Sequence, residues 1–482
     1  MDRFYYSWPF CHSNSEIALM EWNKKIEPGL RAVVLGMGIS GRAMVEFLLS
    51  KKALVAVVDN RDFTDLSSEE RTYLTQNRVS FMTPAEGRGA ILHADFIAIS
   101  PGVPKDLPIL SEVRERDIPI LGELALAAPY LTETVIAVTG TNGKTTVTAL
   151  IAELLRASGK KVFVGGNIGT PVLDYLMRSE RVGFLVLELS SFQLESAGTF
   201  RPDIGILLNI TPDHLDRHKT MGAYIAAKMR LFRHQKVGDV AIISGEDSFC
   251  QQVKSLPGDR EVLCFGGVGS GCATVVEGTE ITINHAGVTV AVSITGTALE
   301  SHTGLLNASA ASLAAFLSGC DDDAIQQGLE SFVPEKHRLQ YIKTSEGVDY
   351  YNDSKATNTG AVCSALASFS GNVILIAGGR DKGEEYAVLK EPVREKVKKL
   401  ILIGEAARNI ADVMENIVDI EFAGTMDDAV VMAARCASSG DTVLLAPACA
   451  SFDMFGDYGQ RGDVFTAAVC GLQDRKELGA IS

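Results

Sequence analysis

The run Thr139-Gly140-Thr141-Asn142-Gly143-Lys144-Thr145-Thr146 stands directly behind four apolar β-formers, Val135 to Val138, and ahead of a helical pattern that starts at Leu150. Strand, glycine turn and helix in that order make a cradle for an anion. Glycines let successive backbone N–H groups turn toward one charge, the helix N-terminus adds a partial positive charge, and Lys144 adds a full one. The expected ligand is a polyphosphate. The hydroxyl of Thr145, next to the lysine, stands where a P-loop places its Mg2+ ligand. The spacing is GxxGKT and not the longer Walker A, because Val138 occupies the position of that pattern's first glycine.

Further polar clusters follow other apolar runs. Gly165-Gly166-Asn167-Ile168-Gly169 follows KVFV, Glu188-Leu189-Ser190-Ser191 ends GFLVLEL, and Thr211-Pro212-Asp213-His214 follows GILLNI. In a parallel sheet all such strand ends lie on one edge, so Lys144, Glu188 and His214 can converge there. Plainer uses exist for several of these residues. Glu188 could partner a helix N-terminus, His214 could cap a helix with Asp213, and His218 could support structure. Lys228, in YIAAKMRLF, reads locally as a solvated helix lysine.

A second glycine motif lies nearer the N-terminus. RAVVLG opens Gly36-Met37-Gly38-Ile39-Ser40-Gly41, a helical stretch follows, and the next strand, LVAVVD, ends at Asp59. This is the dinucleotide fingerprint in strand-turn-helix context, with an acid at the expected distance. DFIAIS then runs into Pro101-Gly102-Val103-Pro104, another turn at a strand's carboxyl end. Taken alone, the motif suits an NAD-dependent nucleotide-sugar dehydrogenase.

These elements need positioning by several domains, and 482 residues suffice for two to four. Residues 1–29 are expected to be an extension, 30–122 a first α/β domain, 123–334 a central one and 335–482 a third. Residues 260–300 change to short alternating β stretches, a small antiparallel excursion, and helices resume at about Ala308. In the third domain VDYYND, NVILIAGG, KKLILIG, IEFAGT and DTVLLAP alternate with helices. The fold class is therefore α/β: three open, mainly parallel sheets, the outer two Rossmann-like and the central one P-loop-like.

Composition narrows the partners. A net charge of -15 argues against nucleic acid. Anionic ligands must be held by local cations, N–H groups or Mg2+. Nine cysteines without a CxxC pair suit free thiols in a reducing cytoplasm. No apolar run is long enough for a membrane span, and the N-terminus lacks the pattern of a signal peptide.

GTNGKTT, GGNIGTP, ELSSFQLE, NITPDHLDRH, the later AAK and HRL, NDSKATN and APACASFDMFGDYGQRG together resemble the Mur ligases over residues 31–470. NDSKATN is similar to the branch that adds D-glutamate to UDP-N-acetylmuramoyl-L-alanine. The resemblance implies an ATP-dependent ligase of peptidoglycan precursor synthesis, a cytoplasmic monomer that works through an acyl phosphate. Lys144, His214 and Lys228 would be catalytic. Gly140, Thr141, Asn142, Gly143, Lys144, Thr145, Thr146, Asn307, Arg338 and Asp353 would bind ATP. Two Mg2+ ions are implied, one at Thr145 and Glu188, the second at His214 and a carbamylated Lys228. Ile39, Ser40, Asp59, Asn60, Arg61 and Gly102 would hold the UDP part, with Asn167 and Ser190 at the muramoyl-alanine end. Lys355, Thr357, Lys382, Ser451 and Tyr458 resemble the D-glutamate site, while Ser354 and Asn358 shape their turn.

One segment departs from the family. A G-x-H-N-x-x-N pattern is usual there, and here Gly304-Leu305-Leu306-Asn307-Ala308-Ser309-Ala310 keeps only the glycine and the first asparagine. The usual adenine contacts are thereby in doubt. Three other readings stand beside the D-glutamate ligase: a Mur-type ligase for a different amino acid, the dehydrogenase, and a P-loop switch or motor. The dehydrogenase leaves Lys144, His214 and NDSKATN without a use, and the switch predicts nucleotide turnover without any small carboxylate.

Overall fold

Apolar runs such as Val135–Val138 have no polar face to offer water, so they belong in sheets covered on both sides. The computed structural model, which describes residues 22–267, 271–334, 336–382 and 384–472, shows three such sheets. The expected N-terminal extension falls outside the described residues over 1–21, and the third domain does so at 335, 383 and 473–482.

The first sheet holds β1 (Arg31–Leu35), β2 (Leu54–Val58), β3 (Ser80–Met82), β4 (Phe96–Ile99) and β5 (Ile120–Leu121). Its order is β3-β2-β1-β4-β5, every pair parallel. The second contains β6 (Thr134–Thr139), β7 (Val162–Gly166), β8 (Phe184–Glu188), β9 (Ile204–Leu207), β10 (Val240–Ser244) and β11 (Glu261–Phe265). It runs β11-β10-β9-β6-β8-β7, again all parallel. The expected excursion is divided between two sheets. Strand β11 joins the central sheet, whereas β12 (Thr274–Glu277), β13 (Glu280–His285) and β14 (Val288–Ser293) form a separate antiparallel one.

The third sheet comprises β15 (Gln340–Ser345), β16 (Val348–Asn352), β17 (Val373–Gly378), β18 (Val397–Ile403), β19 (Ile420–Phe422) and β20 (Thr442–Leu445). Its order is β15-β16-β20-β17-β18-β19. All pairs are parallel except β15 with β16. The short strands β3 and β5, and β15 with its half-buried face, are additions to the sequence expectation. Helix His302–Leu317 also begins before the expected Ala308, because Ser301 caps it by accepting the N–H of Gly304. A Cβ at Gly304 would stand 2.0 Å from the Leu299 carbonyl oxygen, so only glycine fits that first turn.

Glu123 ties the start of the central domain to a later helix of the same domain. Its Oε1 accepts the N–H of Val172 at 2.5 Å and of Leu173 at 3.3 Å, at the start of helix Val172–Leu176. Burial pushes its carboxyl up to about 7, against those two bonds. Between the ordinary value of 4.5 and about 7 the unfolded chain has released a proton that the folded chain keeps. This group therefore lowers stability as pH rises through that window, by about 1.4 kcal/mol per pH unit. Glu123→Gln should remove that slope. Thermal unfolding from about pH 5 to about pH 8 should show the variant gaining on the unsubstituted protein as pH rises, and a constant difference would refute the assignment.

Candidate functional site

Strand β6 delivers the glycine loop to the middle of the central sheet, between the ends of β8 and β9. Gly143 ends the loop at φ +83° as the residue before helix Lys144–Ala157. A Cβ there would lie 2.6 Å from Oδ1 of Asn307, so backbone conformation and contact both require glycine. The Lys144 ammonium curls back and donates to the carbonyls of Gly140 at 2.9 Å and Thr141 at 2.8 Å. Desolvation lowers its pKa, against the carboxylates of Glu188 and Asp213.

Thr145 and Glu188 meet as their strand ends predict. The threonine hydroxyl donates to Glu188 Oε2 at 2.7 Å, and Asn167 Nδ2 donates to Oε1 at 2.8 Å. Glu188 does not cap the next helix, since Ser190 takes that place and accepts the Gln193 N–H. A hydroxyl and a carboxylate at a phosphate loop are the oxygen donors Mg2+ prefers, with phosphate oxygens and water completing its shell. These residues fit the ion. Among the described residues no group of three or more His, Cys, Asp or Glu is placed to hold a metal by itself.

Lys228 is not the solvated lysine of the local reading: it is 1% exposed. Its helix, Met221–Met229, also buries Tyr224, one turn earlier on the same face. The Lys228 Nζ donates to the Gly140 carbonyl at 2.7 Å and sits 4.6 Å from the Tyr224 ring centre. Desolvation first, and the charge of Lys144 second, hold its pKa well below the ordinary lysine value. His214 adopts a left-handed backbone at φ 55° before helix Leu215–His218, with no side-chain cap bond. Its Nε2 lies 3.5 Å from Asp213 Oδ2. Desolvation lowers its pKa, and the charges of Lys382, Lys144 and Lys228 act in the same sense against Asp213. His218 is buried and hydrogen-bonded to Ser191 Oγ at 2.9 Å.

The third domain closes over this edge. A cleft of about 720 Å3 is lined by Asn142, Gly143, Thr146 and Asn307 on one side and Arg338, Asp353 and Lys355 on the other. Arg338 donates to the Thr145 hydroxyl. Burial raises the Asp353 carboxyl to about 6, against the Leu339 N–H and the Arg338 charge. Lys355 Nζ stands 3.6 Å from the Tyr458 ring centre, and the Ser354 hydroxyl donates to the Tyr458 carbonyl at 2.7 Å. Thr357 is half-buried beside them, Ser451 is buried, and Lys382 is exposed but near enough for its charge to act on His214 and Glu384.

The first-domain set lies apart from this cleft, on its own sheet edge. Ile39 and Ser40 open helix Ile39–Ser50, and Asn60 and Gly102 are exposed. Asp59 does not face outward as a dinucleotide-binding acid would. It accepts the N–H of Met37 at 2.6 Å and the Arg61 side chain at 3.0 Å, and Arg61 also donates to the Met37 carbonyl at 2.7 Å. The carboxylate that would bind a ribose is thus tied to the loop. Burial opposes its ionisation, but Arg61 and the two N–H bonds keep its pKa below the ordinary value.

The model of the Mur ligase MurD-like, N-terminal domain matches residues 30–122, that of the Mur ligase middle domain 138–315, and that of the Mur ligase, glutamate ligase domain 337–449. A Desulfotalea psychrophila protein named UDP-N-acetylmuramoylalanine--D-glutamate ligase is 44% identical over 456 residues, 95% of this chain and 99% of that one. A Koribacter versatilis protein of the same name is 40% identical, covering 93% and 99%. The chain belongs to the Mur ligase family. Solved structures agree in fold. A pseudomurein peptide ligase type C from Methanothermus fervidus has TM-score 0.57 at 18% identity, covering 91% of this chain and 99% of that one. The MurF ligase of Thermotoga maritima, in complex with ADP, has TM-score 0.56 at 19%, covering 95% and 97%.

Sequence reasoning missed several groups that hold the third domain's loops and seat it on the central domain of this Mur ligase. Asn358, expected only to shape its turn, caps helix Thr359–Ala367 and also donates to Asp213 Oδ2 of the central domain at 3.1 Å. A Cβ at Gly360 would lie 2.4 Å from Thr211 Oγ1, so this glycine sets how closely the domains meet. Arg461 is wholly buried and binds Ser354 Oγ at 3.0 Å and the carbonyls of Ser354, Cys449 and Ala450 at 2.8, 3.0 and 3.2 Å. An arginine beside a glycine in GQRG was its only signal.

Because Lys144 is bonded only to carbonyls of its own loop, its removal should spare the fold. Lys144→Ala is expected to keep its unfolding temperature and lose nucleotide-dependent turnover by at least about 100-fold. Near-normal turnover in the folded variant would remove this loop from the chemistry.

Proposed function

We propose that this Mur ligase adds D-glutamate to UDP-N-acetylmuramoyl-L-alanine at the expense of ATP, in cytoplasmic peptidoglycan precursor synthesis. The observation that carries the proposal is the 44% identity spanning 99% of a relative bearing that activity's name. The cleft supports it, because cations from two domains face one phosphate loop. No helix among the described residues is long and apolar enough to cross a membrane.

A carboxylate is a poor electrophile and must be activated before an amine can attack it. Its oxygen attacks the γ-phosphorus of ATP, the bond to the ADP oxygen breaks, and an acyl phosphate forms. The D-glutamate nitrogen then attacks the acyl carbon, phosphate leaves, and the nitrogen gives up a proton. Both steps bring anions together, so positioning and charge neutralisation supply the catalysis. Lys144 and Arg338 bear on the phosphates. Asn167 orients the Glu188 carboxylate, and Thr145 and Glu188 would hold an ion. Bound Mg2+ would neutralise phosphate charge. Lys355, Thr357, Lys382, Ser451 and Tyr458 are proposed to receive D-glutamate, the two lysines facing its carboxylates.

Specificity is tested by an amino-acid panel with the sugar nucleotide and ATP. D-glutamate should be the preferred amine, and Lys382→Ala should raise its apparent requirement at least about 10-fold, since a charge-assisted bond contributes roughly 1.5 to 3 kcal/mol. Equal use of L-alanine, L-lysine or diaminopimelate would overturn the assignment.

Carbamylation of Lys228 is the finer part of the proposal. Desolvation and the Lys144 charge favour the neutral amine, which is the form that adds CO2. The resulting oxygens, with His214, would suit a second Mg2+, whereas an ammonium would repel it. Lys228→Ala should be nearly inactive and partly restored by acetate or formate. Equal restoration by chloride, or full activity without any addition, would show that the lysine has only a packing role.

A further inference from the structure

The family's usual histidine and second asparagine are replaced here by Leu306 and Ala310, and neither replacement lines the cleft. Leu306 packs on the Gly266 turn, where an added Cβ would lie 2.5 Å from its Cδ2, and Ala310 is wholly buried. Asn307 remains at the cleft, but its Oδ1 is turned to Gly143, on the phosphate side. The far end of the cleft is different in character. Tyr341 and Tyr351 are cross-strand partners of β15 and β16, their ring centres 5.6 Å apart and nearly edge-on. Phe369 continues the row at 5.1 Å from Tyr351. All three line the cleft, and Tyr341 is 51% exposed there. The Tyr341 ring is held in place, its hydroxyl 2.7 Å from Thr344 Oγ1, which donates in turn to Asp349.

Three polar side chains near that wall already carry bonds within the protein. Glu300 accepts the Gly296 N–H at 2.6 Å, Ser301 accepts that of Gly304 at 3.0 Å, and Thr303 donates to the Ser364 carbonyl at 3.3 Å. A row of three aromatic rings presents a surface suited to a flat π-face. Resting on the ATP-dependent reading above, we propose that the purine of the nucleotide stacks on the Tyr341–Tyr351–Phe369 wall. Its edge is not read by side chains. The consequence is weak discrimination among purine nucleoside triphosphates.

Sites that pair polar groups with a substrate reject analogues about 10^4-fold or more, whereas apolar pockets reach only about 100-fold. With the sugar nucleotide and D-glutamate present, turnover with inosine and guanosine triphosphates should therefore fall within about 100-fold of ATP in kcat/KM. A larger preference for ATP overturns the proposal. Tyr341→Ala should raise the ATP KM about 10-fold, leave kcat and the inhibition constant of inorganic tripolyphosphate unchanged, and be restored by Tyr341→Phe. If tripolyphosphate weakens in parallel, or if the ATP KM does not move, the wall merely shapes the cleft and the proposal fails. Calorimetric binding of ADP gives an arm independent of ligation. Loss of ADP affinity in Tyr341→Ala supports stacking even if D-glutamate ligation were absent, an outcome that would remove the ligase reading alone.

Discussion

Two lysine ammonium groups converge on one carbonyl oxygen, that of Gly140, Lys144 at 2.9 Å and Lys228 at 2.7 Å. Desolvation lowers the pKa of both, and the Lys144 charge pushes that of Lys228 down further. Two different resolutions are open to them. Lys144 lies at a helix N-terminus where an incoming phosphate supplies the missing counter-charge. Lys228 sits beneath, 1% exposed, where loss of its proton relieves the repulsion. Their unlike chemistry thus follows from depth. The lysine near the cleft is placed to meet an anion, and the deeper one is pushed toward its neutral form.

This arrangement matters only because the third domain is seated against it. Asn358 on Asp213, Arg338 on Thr145 and the close approach of Gly360 to Thr211 are three contacts at the ends of strands from different sheets. Neither domain alone surrounds the phosphate loop. The first domain is tied in differently, through Arg217 on the Val103 carbonyl at 3.1 Å and the Lys105–Glu195 ion pair at 3.3 Å. Its Asp59 is used inside its own glycine loop, which turns a familiar fingerprint away from dinucleotide chemistry.

The sequence made the sheets legible because buried parallel strands are written as unbroken apolar runs, as in β6, β8 and β17. It made the phosphate loop legible because glycine, lysine and threonine spacing is a local property. Strand β15 was hidden. None of its residues is fully buried, and its pairing depends on the tight turn at Glu346 and Gly347, both at positive φ. The local reading of Lys228 as solvated failed for a related reason: its burial shows only in the face it shares with Tyr224. Asn358, Gly360 and Arg461 act across domains or between loops, so no local pattern announces them.

The chain carries a net charge of -15, yet every proposed ligand of the cleft is an anion. Long-range attraction therefore cannot recruit these ligands, and recognition rests on cations placed within a Debye length of the site. Those cations are divided, Lys144 on the central domain, Arg338, Lys355 and Lys382 on the third. Before an anion arrives, like charges face each other across the cleft and oppose closure. Polar contacts such as Asn358 with Asp213 work against that repulsion without adding positive charge. Once phosphates lie between the two faces, the same cations attract a common partner, so ligand binding and closure favour one another. Dividing the cations between domains thus makes the complete site depend on its anions.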